Sequence, residues 1–159
     1  MTARLVTAII SIQTIKACRP KLGVDPIMRL PMKRKERSRS IRWRIRWLPG
    51  GKSKTCLTRQ TATFTKQHAI SCLRPHHRLN LYHQQTDGPI SFIFNILPKS
   101  QPKSEGKIHD LKSKWTFTCK ILAEMDAHQH PTSNQQQYDD QDPGQALIRW
   151  IDPPPPEQD

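Results

Sequence analysis

Four side chains in the middle of the chain carry the donor atoms of a soft-metal site: Cys56, His68, Cys72 and His76. His68, Cys72 and His76 recur at i, i+4 and i+8, so on a helix the first two share a face, with Cys56 as a further thiol. Thiolate sulfur and imidazole nitrogen are the ligands zinc takes in tetrahedral sites. Against this, Pro75 breaks the helix just before His76, and the spacing fits no zinc-finger pattern. The expectation is uncoordinated surface histidines with no metal and no cofactor; zinc held by Cys56, His68, Cys72 and His76 is the alternative.

Covalent chemistry is poorly served. Cys72 with His76 supplies a nucleophile and a base, but the acids Asp25, Asp87, Glu105 and Asp110 are isolated and no glycine flanks Cys72. "GGKS" at 50–53 has Arg46 where a phosphate-binding loop needs its first glycine, so the backbone cannot wrap a nucleotide's phosphates. No enzyme is expected.

The loudest signal is cationic. "KRKERSRSIRWRIRWLPGGKSK" (33–54) carries Lys33, Arg34, Lys35, Arg37, Arg39, Arg42, Arg44, Arg46, Lys52 and Lys54 against Glu36 alone. Period two places Ile41, Trp43, Ile45 and Trp47 on one face of a strand and Arg42, Arg44 and Arg46 on the other, before a Pro-Gly-Gly turn and a return strand at 52–58. A planar guanidinium forms paired hydrogen bonds to phosphate, and Trp43 and Trp47 could stack on unpaired bases. Single-stranded RNA or DNA is therefore the expected partner. An anionic membrane surface competes, since Trp and Arg on opposite faces also suit lipid headgroups. The same cluster reads as a nuclear localisation signal for an import receptor, giving a nuclear or nucleolar expectation with a cytoplasmic or membrane-associated alternative. Ser38 and Ser40 stand in Arg-Ser steps where phosphates would weaken polyanion binding.

The elements that must position these groups are few. The 159 residues fill one domain at most, with 14 prolines and 35% apolar residues, against roughly 45–50% in ordinary globular chains. Residues 1–125 hold 25 of the 26 Lys and Arg with six acids, whereas residues 126–159 hold Arg149 against seven. This predicts a basic body, 1–125, and a disordered, acidic, Gln/Pro-rich tail, 126–159, able to compete for the basic surface. Within the tail, "QALIRWI" (145–151) is an apolar island whose Leu147, Trp150 and Ile151 have the spacing of a helical partner motif, or else complete the core.

Strands are expected near 5–12, 41–47, 90–97 and 115–122, with "PKSQPKSEGKIHDLKSK" (98–114) an irregular linker, although "CKILAEMDAHQ" would serve equally as a helix. The fold class expected is mostly disordered or marginally folded, at best a small β-rich α+β unit. Cys18, Cys56, Cys72 and Cys119 are too scattered for a disulfide framework, which favours a reducing compartment. Residues 1–20 allow a targeting segment as well as a strand. In composition the chain resembles small basic accessory proteins of viral or overlapping-frame type. A translated frame without selected fold or function is the third reading beside nucleic-acid and membrane binding.

Overall fold

The computed structural model describes residues 23–81, 88–130 and 142–155, and the regular structure in them is helical. Seven helices follow in order: α1 (Pro26–Arg29), α2 (Arg34–Arg44), α3 (Lys66–Leu73), α4 (Pro75–Arg78), α5 (Pro89–Ile96), α6 (Glu105–Gln129) and α7 (Gln145–Ile151). Among the described residues there is no strand or sheet, only isolated bridges between Leu48 and Gly51 and between Thr55 and Thr63. The β-rich expectation is thus overturned at 41–47, 90–97 and 115–122, as is the hairpin running into 52–58. The strand expected at 5–12, the targeting reading of 1–20 and Cys18 lie outside the described residues.

The long helix α6 organises the rest, with α2, α4, α5 and α7 all packed against it. Its buried residues Leu111, Trp115, Thr118, Leu122, Met125 and Gln129 are spaced alternately four and three apart, which draws one continuous stripe along a helix. Phe117, which strand alternation would put beside Trp115, instead points outward. The second half of the expected linker, from Glu105, is the first three turns of this helix.

In α5 the run "PISFIFNI" starts with proline in its first turn, where the missing N–H costs nothing. Ile90, Ile93, Phe94 and Leu97 are buried at three- and four-residue spacing. A short apolar run does not distinguish strand from helix by composition; here the helical period wins because one face alone meets α6.

In α2 the same conflict is resolved by polar groups. The buried face is Glu36, Ser40, Trp43 and Arg44, at i, i+4, i+7 and i+8. Glu36, 3% exposed, accepts the Lys33 N–H at 3.0 Å and the Gly144 N–H at 2.6 Å. One carboxylate therefore serves the starts of α2 and α7, where unpaired N–H groups point out of a helix.

Twenty-one apolar side chains are buried in a single cluster. At roughly 1.5–3 kcal/mol per large side chain, such a core offsets much of the ordering entropy, and disorder is not what these residues adopt. Leu147 and Ile151 belong to it, so residues 142–155 of the expected disordered tail fold back onto α6. Gly144 makes that return possible: its φ is +84°, and a Cβ there would lie 2.7 Å from Trp115 Cδ1.

Candidate functional site

The basic segment is divided between fold and surface. Arg37 donates to the carbonyls of Ile27 and Leu30, tying α1 to α2. Arg39 pairs with Asp126 of α6 at 2.7 Å, and Arg42 donates to the Pro49 carbonyl at 2.7 Å. Arg44 is buried against Asp25 at 2.7 Å and lies 5.4 Å from the Phe94 ring centroid. Trp43 is in the core, its indole N–H on Ser91 Oγ at 3.2 Å and its ring 4.0 Å from the Lys66 ammonium. Lys54 donates to the Gln129 carbonyl at 2.5 Å, at the negative end of the α6 dipole. Lys33, Arg34, Lys35, Arg46, Trp47 and Lys52 are exposed.

A Schellman turn places Trp47. Helix α2 caps at Ile45, and Arg46 then adopts the left-handed conformation with φ +68°. The Arg46 N–H returns to the Trp43 carbonyl at 3.1 Å and the Trp47 N–H to the Arg42 carbonyl at 2.8 Å. Glycine usually occupies the left-handed position; arginine takes it here at a cost of about 1–2 kcal/mol. The turn throws Trp47 off the helix, leaving it 61% exposed.

The chain then closes with the Gly51 N–H on the Leu48 carbonyl at 2.9 Å. Gly50 presses on α6 so closely that a Cβ would sit 2.3 Å from Gln129 Oε1, while Gln129 Nε2 donates to the Lys52 carbonyl at 2.6 Å. This clamp fixes one wall of an open groove of about 460 Å³ lined by Arg46, Trp47, Leu48, Gly51, Lys52, Ser53, Thr65 and Lys66. A second open depression of about 560 Å³ runs along α2 over Met32, Arg34, Arg37, Ser38, Ile41 and Arg42. Together they form a basic surface with one aromatic face.

The structure also gathers three of the four soft ligands. The Thr55–Phe64 loop is closed by the Cys56 N–H on the Ala62 carbonyl at 2.8 Å and the Phe64 N–H on the Lys54 carbonyl at 2.7 Å. Thr65 then caps α3 by accepting the His68 N–H at 3.2 Å. One turn apart on α3, His68 and Cys72 face Cys56, and the two sulfurs and a ring nitrogen lie within 4.8 Å of one another. His76 is not in this cluster: Arg74 turns left-handed at φ +47° and Pro75 opens α4.

Burial alone would raise the Cys56 thiol. The Arg59 backbone N–H, His68, the Thr58 backbone N–H and Cys72 outweigh it and bring Cys56 down to about 7. Burial raises Cys72, and the neighbouring Cys56 raises it further. The His68 ring meets Phe64 edge-on, and Phe64 stacks on His128 with centroids 4.8 Å apart.

In the tail island, Leu147 and Ile151 are buried and Trp150 packs against the same core, so the chain itself occupies these anchors. Sequence reasoning missed Glu36, Gly144 and Gln129 as positioning residues. A single acid in the first turn of an otherwise cationic helix was the available signal for the first of these. Comparisons with protein-family models, with curated proteins and with solved structures find no match.

Proposed function

We propose that the chain binds single-stranded nucleic acid on the Trp47 groove and the outer face of α2. The observation that carries this reading is a tryptophan 61% exposed on the wall of a groove also lined by Arg46, Lys52 and Lys66. An unstacked base offers Trp47 a planar partner, and the cations around it take the flanking phosphates. A duplex, with its bases already stacked, would use the charges but not the ring. The net charge of +13 adds a long-range attraction for any polyanion, which raises encounter rates without choosing the ligand.

The reading is narrower than the full basic segment. Arg37, Arg39, Arg42, Arg44, Lys54 and Trp43 make contacts within the fold, and the Lys66 ammonium is held by the Trp43 carbonyl at 2.8 Å, which leaves about four phosphate contacts for the exposed cations. Fluorescence anisotropy of a labelled single-stranded RNA across a salt series tests it. Four neutralised phosphates would give a slope of log K against log salt near −3, at roughly −0.7 per phosphate. A slope near zero, or equal binding to a duplex and a single strand with Trp47 quenched by neither, would overturn it.

A further inference from the structure

We propose that Cys56, His68 and Cys72 bind one zinc ion, which clips the Thr55–Phe64 loop to α3. The inference uses none of the groove residues and stands or falls separately from nucleic-acid binding.

The donor set is the first ground. Two thiols and one imidazole nitrogen converge within 4.8 Å, drawn from a loop and from one turn of a helix, so a bound ion would cross-link two elements. In a tetrahedral zinc site with bonds of about 2.0–2.3 Å, neighbouring ligand atoms are roughly 3.5–3.8 Å apart. Closing the present triangle therefore takes movements of about 1 Å, within the reach of side-chain rotation.

Polar accounting is the second. His68 Nε2 is buried and has no hydrogen-bond partner among the described residues. Buried polar atoms are normally satisfied, and metal ligation through Nε2 is one way to satisfy this one. Cys56, only 1% exposed, already receives the Arg59 N–H at 3.4 Å, the kind of outer hydrogen bond that steadies a metal-bound thiolate.

Charge is the third. Two thiolates, a neutral imidazole and Zn²⁺ sum to zero, so the loaded site places no net charge in a mostly buried position, whereas a pair of bare thiolates would. The ion itself must displace the protons of both thiols. Among the described residues no fourth His, Cys, Asp or Glu joins the cluster, which leaves one coordination position for water or an added ligand.

The test is zinc loading of the full-length protein, with elemental analysis after removal of excess metal, and cobalt substitution read by absorption. One metal per chain is expected, with a thiolate-to-cobalt charge-transfer band. Cys72→Ser replaces a half-buried residue and should keep the helical circular dichroism. It should lower zinc affinity at least about 100-fold, more than the 10- to 100-fold typical of losing an outer-shell partner. Cys56→Ser should do the same, His68→Gln should cost at least about tenfold, and His76→Gln and Cys119→Ser should change nothing. A folded Cys72→Ser protein with unaltered affinity would overturn the proposal. So would substoichiometric zinc, or a loss for His76→Gln equal to that for His68→Gln.

Discussion

The tripeptide Ile-Arg-Trp occurs at 41–43, 45–47 and 148–150, and the first two copies, four residues apart, have opposite fates. In the first, Ile41 packs against the core, Arg42 holds the Pro49 carbonyl and Trp43 is 2% exposed. In the second, Ile45 caps the helix, Arg46 sits in left-handed backbone and both Ile45 and Trp47 face solvent. Four residues is about one helical turn, so had α2 continued, both tryptophans would have lain on the same face. The Schellman turn separates them. Identical local chemistry thus becomes a core anchor on one side of a helix end and a candidate recognition surface on the other.

The comparison predicts a large difference in stability. Trp43→Ala removes a fully buried indole, deprives Ser91 Oγ of its donor and Lys66 of the ring beneath it, and should cost about 3–5 kcal/mol in denaturant unfolding. Trp47→Ala, on the surface, should fall within about 0.5 kcal/mol of the parent. Equal losses would mean that the two repeats are not partitioned between core and surface.

Arginines beside the two tryptophans should split in the same way. Arg44→Ala leaves Asp25 buried without its cation, a loss of about 3 kcal/mol, while Arg46→Ala exchanges one exposed side chain for another and should change stability little. Arg46→Gly isolates the backbone contribution: glycine accepts φ +68° without strain and should stabilise by up to about 1 kcal/mol. A destabilised Arg46→Gly protein would show that the Arg46 side chain, not the turn, is what holds the helix end.

Much of the core was legible as residues but not as structure. Ile90, Ile93, Phe94, Trp115, Cys119 and Ile121 were expected to be inside strands, and they are inside, on helices. The period failed for specific reasons. The inward face of α2 is built from Glu36, Ser40 and Arg44 as well as Trp43, so no apolar stripe advertises it. Along α6 the polar Thr118 and Gln129 interrupt the buried stripe while the outward Phe117 completes a false alternation. Three of these polar residues find partners distant in sequence, Glu36 at Gly144, Arg44 at Asp25 and Gln129 Nε2 at Lys52, whereas Thr118 donates one turn back to the Lys114 carbonyl. No local pattern encodes such contacts.

The site residues divide similarly. That 33–54 is basic and aromatic could be read from composition; which of its cations are consumed by carbonyls and acids could not. Cys56, His68 and Cys72 carried the right donors, but the left-handed Arg74 that diverts His76 is a backbone event with no signature beyond Pro75.

Binding measurements sharpen the comparison next. Trp47→Ala should weaken single-stranded RNA by about 1–3 kcal/mol, roughly 5- to 150-fold, without altering the salt slope, because a stacked ring releases no counterions. Phe in its place should restore most of the affinity. If Trp47→Phe binds as poorly as Trp47→Ala, the ring is not stacking, and the exposed copy of the repeat serves some other contact.

The smallest expected effect is also the one that maps the ligand. Lys52→Gln, beside Trp47, and Arg34→Gln, at the far start of α2, each remove one exposed cation from the two openings on this surface. Neither side chain supports the core, so unfolding should be unchanged within about 0.5 kcal/mol. If the strand crosses both openings, each variant should reduce the salt slope by roughly 0.7, the increment of one phosphate on a single strand, and the double variant by twice that. If it occupies the Trp47 groove alone, only Lys52→Gln will shift the slope. Arg37→Gln serves as the contrast, since its guanidinium is spent on the carbonyls of Ile27 and Leu30 and its loss should appear in stability before it appears in the slope. A slope untouched by both Lys52→Gln and Arg34→Gln would place the phosphates elsewhere on this cationic protein and remove the second Ile-Arg-Trp copy from the interface.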